Sequence, residues 1–86
     1  MADIKSNLQL WGTDFPVGSE WDAGVTNTAS QERWTVRRDP DQFVVVFHAF
    51  DSCEEVQLET FDPTEEGEIS AKATAIAARD DGRRSP

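Results

Sequence analysis

The chain holds a single histidine, His48, and a single cysteine, Cys53, five positions apart and set among Asp51, Glu54 and Glu55. Such residues could make a thiol–imidazole dyad or part of a metal shell. A cysteine nucleophile needs an oriented base and amides to hold an oxyanion, and no glycine-rich turn or helix start lies beside Cys53 to donate them. A zinc site takes three or four ligands at fixed spacings, so one His and one Cys suffice only if two carboxylates converge on them. His48 then reads as a half-buried residue at a strand end and Cys53 as a small apolar residue in a turn. Asp39 and Asp41 lack the further oxygen ligands and the glycine of a calcium loop. The sequence assigns no metal, no cofactor and no catalytic residue. Carboxylate pairs are too abundant to single out an acid and a base, no P-loop or G-x-G-x-x-G occurs, and a chain this short has little room for a deep cleft. The expectation is that the protein is not an enzyme.

Charge distribution is more informative. Between Arg38 and Lys72 lie 33 residues with no Lys or Arg and ten acids. On a regular strand Glu55 and Glu59 would share a face about 13 Å apart. Glu54, Asp62, Glu65 and Glu66 would extend that negative surface, an array able to imitate a run of phosphates. The competing reading is structural: Asp62, Glu65 and Glu66 favour a helix N-terminus through its dipole, and the strand acids form a solvated face.

The elements that must carry these residues are legible around one stretch. Phe43 to Phe50 is rich in β-branched and aromatic residues, without a charged side chain, and reads as a strand. Its alternation puts Phe43, Val45, Phe47 and Ala49 on one face and Val44, Val46, His48 and Phe50 on the other, the mark of a central strand covered on both sides. Flanking it, Trp34 and Val36 alternate with Arg33, Thr35 and Arg37, and Val56 and Leu58 with Glu55, Gln57 and Glu59. Arg38-Asp39-Pro40-Asp41-Gln42 has the composition of a hairpin turn. Arg33 and Arg37, on one strand face, are expected to pair with Glu55, Gln57 or Glu59 across the sheet. Leu8 to Trp11 offers a further short strand. Gly12 to Ser30 is turn-rich, with apolar anchors and room for another strand near Trp21 or Val25.

After the sheet, Asp62-Pro63-Thr64-Glu65 has the form of a helix start with Asp62 as cap, and Gly67 argues for a later start at Ser70. Either way an alanine-rich helix follows and ends at Gly82. Ile69, Ala73, Ile76 and Ala77 form its expected packing stripe. The fold class is therefore α+β: an antiparallel β-meander of three to five strands with one C-terminal helix on a face, a single domain over residues 1–86 with disordered tails at 1–7 and 81–86. One thin helix cannot shield both faces of the central strand. The N-terminal segment with Trp11, Phe15 and Trp21, a second copy of the chain or another protein must cover the second.

Eight Lys and Arg against 17 Asp and Glu give a formal charge of −9, which argues against direct nucleic-acid or anionic-membrane binding and for a basic protein partner. One cysteine leaves no intramolecular disulfide, and no signal peptide or apolar membrane segment is present, so the expected location is the cytoplasm. The functional expectation is a small acidic protein-binding module that occludes a basic site, even a nucleic-acid-binding one, on a partner. An inhibitor, an antitoxin or immunity protein, or a phage anti-defence factor that mimics DNA would act in this way. Its contacts would be Glu54, Glu55, Glu59, Asp62, Glu65 and Glu66, with Trp21 or Trp11 as anchor. The alternative is a homodimeric structural or regulatory protein whose acidity reflects adaptation to high salt.

Overall fold

The computed structural model describes residues 17–25, 31–49 and 54–86. Within them four strands run in chain order, β1 (Glu20–Val25), β2 (Arg33–Arg38), β3 (Phe43–His48) and β4 (Glu55–Phe61), followed by one helix, α1 (Glu65–Asp81). The strands form one antiparallel sheet in the order β1-β2-β3-β4, an α+β meander with its helix packed on one face. The expected strand at Leu8 to Trp11 lies outside the described residues. The turn-rich stretch before Ser30 contributes β1, whose polar and glycine-containing sequence hides its pairing with β2.

The two hairpins at the centre follow from their turns. Asp39 N–H donates to the Gln42 carbonyl at 2.9 Å and closes the β2–β3 turn around Pro40, while Ala49 N–H donates to the Glu54 carbonyl at 3.0 Å and closes β3 onto β4. Between them β3 is buried from Phe43 through Phe47. Trp34, Val36, Phe43, Val45 and Phe47 point at α1 and join Ala71, Ala75 and Ala78 in the core, with Trp21, Val56, Phe61 and Ile76 packed around it. Trp34 meets Phe47 with ring centroids 5.1 Å apart.

The helix begins at neither expected cap. Thr64 is the N-cap, and its side chain accepts a 3.0 Å hydrogen bond from Gly67 N–H. Gly67 belongs inside the first turn because α1 doubles back tightly on β4: a Cβ there would lie 1.8 Å from the Asp62 carbonyl oxygen. The helix ends at Gly82 in the left-handed region (φ 66°), with Gly82 N–H bonded to the Arg79 carbonyl and Arg83 N–H to the Ala78 carbonyl, the two bonds of a Schellman cap.

The packing stripe also differs from the expected one. Gly67, Glu68, Ala71, Lys72, Ala75 and Ala78 are buried, whereas Ile69, Ala73 and Ile76 are half-buried and Ala77 is exposed. Against the bulky Trp34, Phe43 and Phe47 the helix sets Ala71, Ala75 and Ala78, which lets the layers approach closely, while Glu68 and Lys72 are buried beside them as an ion pair, with Lys72 over Trp21. The tail after Gly82, expected to be disordered, carries three anchors: the Trp34 indole donates to the Arg83 carbonyl at 2.7 Å, the Arg83 guanidinium binds Glu59 at 2.6 Å, and Arg84 forks onto both carboxylate oxygens of Glu32 at 2.6 Å each.

Two irregularities interrupt the ladders. In β1, Asp22 pairs with Thr35 and Gly24 with Trp34, leaving Ala23 as an extra residue. In β4, Gln57 pairs with Val46 and Glu59 with Val45, leaving Leu58 as the extra one. These are β-bulges, each of which interrupts strict alternation. Arg79 of α1 donates to the Ala23 carbonyl at the first.

Opposite the helix, Val44 lies between Arg37 and Thr60, and Val46 between Thr35 and Gln57. Both valines are 0 % exposed in a single copy of the chain. No second copy is needed to shield these two side chains. Phe50, expected on the same face, lies outside the described residues.

Candidate functional site

Two features of the sheet could interact with something outside the chain: its acidic residues and a polar cluster around His48.

The acids fall into two groups. Glu54 and Glu55 stand at the start of β4, while Asp62, Glu65 and Glu66 surround the turn into α1, all of them exposed. A seven-residue strand separates the groups by more than about 20 Å. The bulge at Leu58 also overturns the expected same-face relation of Glu55 and Glu59. Glu55 pairs with His48 and Glu59 with Val45, and His48 and Val45 look to opposite sides of the sheet. Glu59 is turned to the helix side, where Arg83 binds it at 2.6 Å. Trp21 is half-buried there too, with the Lys72 ammonium 5.1 Å from its ring centroid. Trp11 lies outside the described residues, as do Asp51 and Cys53.

Apart from Arg38, the described basic side chains are paired with acids of the same chain, some at the surface and Lys72 in the interior. Arg33 faces Asp22 at 3.7 Å, Arg37 meets Asp39 at 3.2 Å and Glu55 at 3.9 Å, Lys72 meets Glu68 at 3.0 Å, and Arg79 meets Asp80 at 3.1 Å. Of the cross-sheet pairs expected for Arg33 and Arg37, the one between Arg37 and Glu55 is present, while Arg33 turns to β1. Arg38 stacks on Phe43, 5.0 Å from the ring centroid. The Arg84 hydrogen bonds hold the Glu32 carboxyl below its ordinary 4.5, and Glu32 in turn raises Arg84. Burial pushes Lys72 down from 10.5 against the opposing pull of Glu68.

The His48 cluster draws on all four strands. His48 ends β3, with its side chain 15 % exposed. Its Nε2 lies 2.8 Å from Thr35 Oγ1 of β2 and 3.6 Å from Glu20 Oε2 of β1, and the Thr35 hydroxyl donates to that same Glu20 oxygen at 3.2 Å. On the other side of the ring, Nδ1 is 3.4 Å from Glu55 Oε2 of β4. One ligand atom from each of Glu20, His48 and Glu55 lies within 4.8 Å of the others. His48 lies directly opposite Glu55, while Thr35 lies opposite Asp22 and Val46 and Glu20 opposite Arg37, so Glu20 and Thr35 reach the ring diagonally across one sheet face, where long side chains bridge neighbours about 7–8 Å apart. Sequence reasoning placed Glu55 near His48 but missed Glu20 and Thr35. The only signal for them was the register of β1 on β2, which the glycine and the bulge in β1 concealed.

Among the described residues no helix is long and apolar enough to cross a membrane. Comparison with protein-family models, with curated proteins and with solved structures finds no match.

Proposed function

We propose that this protein is a small acidic binding module that occludes a basic site, of the kind that holds nucleic acid, on a partner protein. The observation that carries this reading is the internal consumption of positive charge. Every Lys and Arg among the described residues except Arg38 faces an acid of the same chain within 4.0 Å. The chain carries a formal charge of −9, and at the β4–α1 turn the exposed Asp62, Glu65 and Glu66 place three acids within five residues. A concentration of acids of this kind steers a basic surface toward it and repels nucleic acid. The helix dipole at the same turn offsets part of that charge.

Two variants of equal net charge test the reading. Asp62→Asn/Glu65→Gln/Glu66→Gln removes the patch, and Asp41→Asn/Asp80→Asn/Asp81→Asn removes three acids elsewhere. A partner recovered with the wild-type chain should lose affinity for the first variant and keep it for the second, and its affinity should fall as salt rises. Equal losses in both variants, or binding indifferent to ionic strength, would make the acidity a solubility feature.

A further inference from the structure

We propose that His48 Nε2, the Glu20 carboxylate and the Thr35 hydroxyl form a site for one zinc-class divalent cation on the sheet face opposite α1, with Glu55 orienting the imidazole from its other nitrogen. This site is independent of the binding role assigned to the acids of the β4–α1 turn.

Donor spacing comes first. Zinc holds nitrogen and oxygen at about 2.0–2.2 Å, so donors in a tetrahedral shell lie about 3.3–3.6 Å apart. Nε2 and Glu20 Oε2, 3.6 Å apart, have that spacing. The Thr35 oxygen, 3.2 Å from the Glu20 oxygen and 2.8 Å from Nε2, sits instead at hydrogen-bond distance from both and must move outward by several tenths of an ångström to join the shell. Hydrogen bonding supplies the second argument. In the tautomer that carries its proton on Nδ1, toward Glu55, both Nε2 and Glu20 are acceptors, and Thr35 has one hydroxyl hydrogen to serve them. A cation between the three satisfies both acceptors together with the hydroxyl oxygen.

The third argument is the carboxylate at the back of the ring. A metal-bound histidine characteristically donates its remaining N–H to a carboxylate or carbonyl, which fixes the tautomer and raises the basicity of the ligating nitrogen. Glu55, 3.4 Å from Nδ1, stands in that position. The surrounding cations do not fill the site, since Arg33 is directed to Asp22 and Arg37 to Asp39 and Glu55. An imidazole with oxygen donors selects zinc or a neighbouring first-row ion over calcium or magnesium. Two strong protein ligands leave coordination positions for water, so the affinity is modest and the site open.

A proton on Nε2 would bridge the same groups, so the experiment must tell a metal from a proton. His48 is the only histidine of the chain, and its ring ¹⁵N and ¹H resonances report on the site without ambiguity. Titration of the full chain with Zn²⁺ at constant pH should move the Nε2 resonance and saturate at one equivalent, while Mg²⁺ leaves it in place. Glu20→Gln and Glu55→Gln should each weaken Zn²⁺ binding about tenfold or more. Both side chains are at least a third exposed on edge strands, so the variants keep the fold, which far-UV circular dichroism verifies. A ring that responds to pH but not to Zn²⁺, coordination at Nδ1, or wild-type affinity in Glu20→Gln would each overturn the proposal.

Discussion

Lys72 Nζ lies 3.0 Å from Glu68 Oε2 one helical turn away, with the side chains 0 % and 4 % exposed, so an ion pair occupies the interface where α1 meets Trp21. Taking charges out of water is costly, and their mutual attraction repays that cost only in part. Lys72→Met alone should therefore destabilise by about 3–5 kcal/mol, because it leaves the buried carboxylate without its ammonium partner. The double variant Glu68→Leu/Lys72→Met should recover most of that loss. Urea unfolding of the three proteins decides it, and a double variant no more stable than the single one would show that the pair itself holds the helix down.

The same lysine sets an alkaline dependence. Desolvation lowers its pKa in the folded chain below the ordinary 10.5, so between the folded and unfolded values the unfolded chain binds more protons. Stability then rises with pH through that window and levels off above 10.5. The difference in stability between wild type and Lys72→Met, measured on both sides of the window, isolates this effect from other titrating groups.

Gly67 and Gly82 are needed for different reasons, and alanine separates them. At Gly67 a Cβ would overlap the Asp62 carbonyl, so Gly67→Ala should cost about 3 kcal/mol or more despite alanine's better helix propensity. At Gly82 no atom lies within 4 Å of the added carbon. Only the left-handed backbone is penalised there, by about 1–2 kcal/mol, and Gly82→Asn should cost less than Gly82→Ala. Denaturant midpoints at unchanged m-value give both numbers.

Trp34→Phe should destabilise by roughly 1–3 kcal/mol, combining lost buried volume with the missing indole bond to the Arg83 carbonyl. Amide exchange at Arg83 to Ser85 should speed up selectively, since the variant removes one of the ties that hold that segment to the sheet and leaves Arg83–Glu59 and Arg84–Glu32. Uniform acceleration across α1 would indicate a purely volumetric effect.

Glu32 supplies an acid-side dependence. Its folded pKa lies below 4.5 because Arg84 hydrogen-bonds the charged form, so its stabilisation is present above the unfolded value and vanishes as pH falls through the folded one. Arg84→Ala should return the Glu32 carboxyl toward 4.5 in a ¹³C-detected titration, and high salt should do so in part, because the pair is solvent-screened.

Much of the fold was legible because β2, β3 and β4 obey the two-residue alternation of strands and the Asp39-Pro40-Asp41 turn is chemically explicit. The helix was legible from its alanines and from Gly82. Its start is less legible: Asp62 competes with Thr64 as the cap, and Gly67 reads as a helix breaker although its missing side chain is what permits the turn at Asp62. Ile69 and Ile76 draw the packing stripe to the wrong side, since local hydrophobicity registers neither that alanines pack against Trp34 and Phe47 nor that Glu68 and Lys72 are buried as a pair. The parity of Glu55 and Glu59 failed at Leu58, where no glycine or proline announces the surplus residue. The neighbours of His48 depend on register across four strands, which no local pattern encodes.

The bulges at Ala23 and Leu58 sit in the two outermost strands of the described sheet, one on each flank. A straight margin offers an unbroken row of amides and carbonyls to any passing extended peptide, and a kinked one does not. Both borders of the described sheet are kinked, which makes them poor templates for accretion into ribbons or fibrils around a centre of consecutive β-branched and aromatic residues.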